Sequence, residues 1–75
     1  MTQDTFVKII RSVAETKGVN LSGSKLSKLN ALARQYSRGE ADIKQAIETI
    51  KSIFSDDFHL GRHEYEEIEK RLRRS

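Results

Sequence analysis

The clearest pattern in the chain runs from Ala41 to Phe54, ADIKQAIETIKSIF. Ile43, Ala46, Ile47, Ile50, Ile53 and Phe54 recur at i, i+3, i+4, i+7, i+10 and i+11, the spacing of one helical face. At about 100° per residue, these side chains share a stripe roughly 120° wide. Lys44, Gln45, Glu48, Thr49 and Ser52 fill the rest of the circumference. Isoleucine is only a middling helix former, so four of them in register point to burial rather than propensity. The pattern predicts a helix over 41–54. Its stripe makes it the expected centre against which the other elements pack.

A first helix is predicted over 4–17, with Phe6, Ile9, Ile10 and Val13 inward and Lys8, Arg11 and Glu15 opposite. Thr2 or Asp4 can cap its first turn, and Gly18 stands where a left-handed residue ends a helix. Val19 to Gly23 reads as a linker with two apolar anchors, Val19 and Leu21. Ser22 or Ser24 then caps a second helix over 24–38. Leu26, Leu29, Leu32, Ala33 and Tyr36 make its buried face, while Lys28, Ala31, Arg34, Gln35 and Arg38 turn outward. Gly39 closes it. The connection onward is short, so the second and third helices should be neighbours.

Beyond Phe54, the segment SDDFHLGRH carries turn signals at Asp56, Asp57 and Gly61, with Phe58 and Leu60 expected to return to the core. A fourth helix over 62–73 rests on charge: Glu66 with Lys70, Glu67 with Arg71 and Glu69 with Arg73 are i,i+4 pairs. Its apolar stripe is thin, only Tyr65, Ile68 and Leu72. At a few tenths of a kcal/mol per pair, the charges cannot hold so short a helix alone. It must dock, either on the bundle or on a second copy. The expected fold is therefore all-α, a compact bundle of four short helices in a single domain spanning 1–75. Residues 70–75 read as a frayed basic tail.

Composition narrows the picture. Seventy-five residues sit near the lower limit for a core that stands alone, so either a monomer or a homodimer fits. The chain has no cysteine, which excludes disulfides and thiolate metal sites and fits a reducing compartment. No apolar run approaches the roughly 20 residues of a membrane span. The simplest expectation is a cytoplasmic protein, complete from Met1 and without a membrane partner.

The formal net charge of +3 is unevenly spread. From Thr16 to Gly39 there is no acidic residue, yet Lys17, Lys25, Lys28, Arg34 and Arg38 all lie there. Such asymmetry hints at a polyanionic partner, although a charged face is also ordinary in small domains. Lys25, Lys28, Arg34, Gln35 and Arg38 are the candidate binding residues. Ala14, Gly18 and the flanking valines partly fit a helix-turn-helix, but its expected apolar positions fall on Ser24 and Ser27, with the leucines two residues later. On that reading Lys25, Lys28, Arg34 and Arg38 neutralise phosphates, and Asn30 or Gln35 reaches base edges.

Chemistry has less support. His59 and His63 are four apart with Asp56, Asp57 and Glu67 nearby, but Gly61 breaks the helical face they would need to share. The run from Asp56 to Glu67 imitates a calcium loop at Gly61 and Glu67, yet Phe58 and Leu60 occupy positions that require oxygen ligands. No metal and no cofactor is expected. There is no cysteine nucleophile, and the glutamates of the fourth helix are matched by basic partners. Tyr36 and Tyr65 remain as candidate interface aromatics. The reading is a non-enzymatic regulatory or inhibitory protein that docks on a protein partner, with nucleic-acid binding through the second helix as the alternative.

Overall fold

The computed structural model describes residues 1–57 and 59–75. It comprises four helices: α1 (Gln3–Glu15), α2 (Gly23–Ser37), α3 (Ile43–Ile53) and α4 (Arg62–Arg74). No strand occurs among the described residues. The all-α, four-helix expectation holds, and the helix ends fall within two residues of those predicted. The expected return of Phe58 to the core lies outside the described residues.

The boundaries have local causes. Thr2 caps α1, its Oγ1 accepting from the Thr5 N–H at 3.2 Å. Asp42 caps α3 in a reciprocal box: its Oδ1 accepts from the Gln45 N–H at 2.8 Å, and its own N–H donates to Gln45 Oε1 at 3.0 Å. Because Asp42 is extended, α3 starts at Ile43 rather than Ala41. Gly18 and Gly39 have φ of 71° and 76°, the left-handed conformation that costs a Cβ-bearing residue most. Beyond them, the Val19 and Glu40 N–H groups reach back to the Ala14 and Gln35 carbonyls at 3.0 and 2.8 Å. Both helices end in the same hydrogen-bonded turn.

The helices form a closed ring. α1 packs on α2 and α4, and α3 packs on the same two, while no Cα pair within 8 Å joins α1 to α3 or α2 to α4. α3 is therefore not the central helix its isoleucine stripe suggested. Each of the four helices is amphipathic and keeps a polar outer face, so none is surrounded, and their apolar stripes converge on a shared interior. Among the described residues, Phe6, Ile10, Leu29, Ile50, Phe54 and Ile68 are the largest fully buried side chains, drawn from every side of the ring. Val19 and Leu60 anchor two of the connections in this core. Ile9, Leu26 and Ile43 are only half-buried.

α4 closes the ring within the chain. Ile68 and Leu72 are buried, and the Arg71 guanidinium donates to Ser12 Oγ on α1 at 3.1 Å. The helix runs through Arg74, so residues 70–74 are helical rather than a loose tail. Its surface pairs differ in one respect from expectation. Glu67 pairs with Arg71 and Glu69 with Arg73, but Glu66 binds Arg62 at 2.9 Å instead of Lys70. Arg62 is one turn earlier and equally within i,i+4 reach, so Glu66 had two candidates.

Candidate docking surface on the second helix

The outer face of α2 can be laid out from helix geometry. At about 100° per residue, and with Ala31 as origin, Lys28 and Gln35 lie about 60° and 40° to one side. Arg38 and Arg34 lie about 20° and 60° to the other. The first side faces α3, because Lys28, Ala31 and Gln35 line a cavity with Thr49, Ser52 and Ile53. The second faces α1, whose Gln3 amide reaches the Asn30 carbonyl at 3.5 Å. From Lys28 to Arg38 the ridge extends about 15 Å at 1.5 Å per residue.

All of Lys28, Arg34, Gln35 and Arg38 are exposed. Among the described residues, no carboxylate lies within 4.0 Å of the Lys28, Arg34 or Arg38 cations. α4 is the opposite case, with Arg62, Arg71 and Arg73 each held by a glutamate on the same helix. Lys70 and Arg74 of α4 likewise have no carboxylate within 4.0 Å among the described residues, while on α2 the three such cations are Lys28, Arg34 and Arg38.

Lys25 is placed differently from the other predicted binding residues. Its ammonium bridges Asp56 at 3.3 Å and Asp57 at 3.2 Å, and it lies 5.8 Å from the centre of the Phe54 ring. The Asp57 hydrogen bond, helped by Asp56 and opposed by partial burial, raises the Lys25 pKa above the ordinary lysine value. Lys25 fastens the first turn of α2 to the connection after α3 and is not part of the free ridge. A group with a raised folded pKa stabilises fully below its unfolded value, about 10.4 for lysine, and loses that contribution as pH rises through the folded one. Lys25→Met should therefore cost at most about 1 kcal/mol at neutral pH. In paired thermal melts, the gap to the native protein should close only in strongly alkaline solution. A gap that closes between neutral pH and mildly alkaline pH would refute the clamp.

Beside the ridge runs a groove between α2 and α3. It consists of two shallow cavities of about 540 and 330 Å³ that share Leu32, Gln35 and Thr49. The α3 wall is Gln45, Thr49 and Ser52, an uncharged stripe at i, i+4 and i+7. Lys44 and Glu48 of α3 line the groove too, Glu48 one residue from Thr49 at mid-helix, and Glu40 stands at the α2–α3 turn. These α3 residues were legible as the polar side of the isoleucine helix. That they would face the outer side of α2 was not.

Tyr36 and Tyr65 both pack on the core of their own chain. The Tyr36 ring lies 5.1 Å from that of Phe6 at a tilt of 40°, sealing the α1–α2 seam. Tyr65 is half-buried with the Lys51 ammonium 5.9 Å from its ring centre. Burial, reinforced by Asp57 and Glu64, pushes its phenol above the usual value. The Glu67 carboxyl is held below the usual range by its hydrogen bond to Arg71.

Among the described residues no polar or charged residue is buried, and no group of three or more His, Asp or Glu side chains is placed to hold a metal. His59 and His63 are exposed. The α1–α2 connection, Thr16–Ser22, has seven residues between helices that end at Glu15 and begin at Gly23. A helix-turn-helix uses about three or four. No helix among the described residues is long and apolar enough to cross a membrane. Comparison with known proteins gives no family model, no curated protein and no solved structure that matches this chain.

Proposed function

We propose that this is a small, non-enzymatic regulatory or inhibitory protein of the cytoplasm that docks on an acidic surface of a protein partner through the outer face of α2. One observation carries the reading: Lys28, Arg34 and Arg38 are exposed together with no acid to neutralise them. Exposed cations of one sign steer and select a complementary surface more than they stabilise the fold. Nucleic acid is the second reading, since the same three cations suit phosphates. Two features weigh against it: the seven-residue α1–α2 connection is longer than a helix-turn-helix uses, and Lys25 is engaged by Asp56 and Asp57.

The test replaces Lys28, Arg34 and Arg38 together with glutamate, a change of six charge units on exposed positions that should leave the circular dichroism spectrum unaltered. The native protein should hold a protein partner at physiological salt after nuclease treatment, and the triple variant should release it. Duplex binding by the native protein should be weak. Suppose instead that duplex affinity is tight, falls by roughly 0.9 log unit per phosphate neutralised for each tenfold rise in salt, and vanishes in the variant. The second reading would then replace the first.

A further inference from the structure

We draw no further inference here: the strongest candidate, the groove between α3 and α4 where Ile43, Ile47 and Tyr65 form an apolar seam, is edged by lysines, arginines and glutamates together, and nothing in the structure shows what covers it.

Discussion

Ile50→Ala should leave much of the protein unfolded at room temperature, whereas Glu48→Ala, two residues away, should hardly alter it. Ile50 is fully buried in the shared interior, and truncation there removes transfer energy and leaves a cavity, at a cost of about 2–5 kcal/mol. A domain of this size has only about 3–5 kcal/mol to lose. Glu48 is exposed, and its pairing with Lys51 is long at 3.9 Å, so its loss amounts to a few tenths of a kcal/mol or less. Urea denaturation followed by circular dichroism reads both. The Ile50 variant should show a midpoint shifted far toward zero denaturant or no folded baseline. Equal midpoints for the two variants would mean that the faces of α3 are assigned the wrong way round.

The faces were legible because periodicity is a local property. Phe6, Ile10, Leu29, Leu32, Ile50 and Ile68 recur at helical spacing and all are buried. Gly18 and Gly39 marked the ends of α1 and α2 because only a residue without Cβ takes those backbone angles cheaply. What a single helix cannot encode is which neighbours it meets. The isoleucine stripe looked central because it was the densest, yet density says how much a helix buries and not how many helices surround it. The Asp42–Gln45 cap is also legible, as an acid three residues before a glutamine, and it sets the start of α3 at Ile43 although the apolar run begins at Ala41.

The candidate site divides in the same way. The absence of acids between Thr16 and Gly39 marks α2 as basic, but Lys25 lies in that interval and is paired with Asp56 and Asp57, more than thirty residues away. Such pairing depends on the path of the chain after α3. The groove belongs to the same category, since its α3 wall of Gln45, Thr49 and Ser52 acquires meaning only beside Lys28, Ala31 and Gln35. Each stripe was visible alone. Their juxtaposition is a product of the ring.

Removing α4 should abolish cooperative folding altogether, because the ring has no redundant member. A chain ending at Leu60 loses Ile68 and Leu72, both buried, together with the half-buried Tyr65. At about 1.5–3 kcal/mol for each fully buried large aliphatic side chain, the first two alone match the stability expected of the whole domain. The loss does not stop there. No Cα pair within 8 Å joins α1 to α3, so α2 and α4 are what bridge them, and without α4 only α2 is left to hold both. Without it the inner faces of Phe6, Ile10 and Ile50 meet water. The truncated chain should therefore show a broad, non-cooperative melt or associate with itself to cover those faces. Ile68→Ala in the full chain provides the quantitative partner to this experiment. Because Ile68 is buried within one chain, its lowered melting temperature should not depend on protein concentration over about a hundredfold range. A fourth helix that packs across a dimer would instead make both native and variant melts rise with concentration. A sharp, unaltered melt from the truncated monomer would show that three helices suffice and that α4 is an appendage.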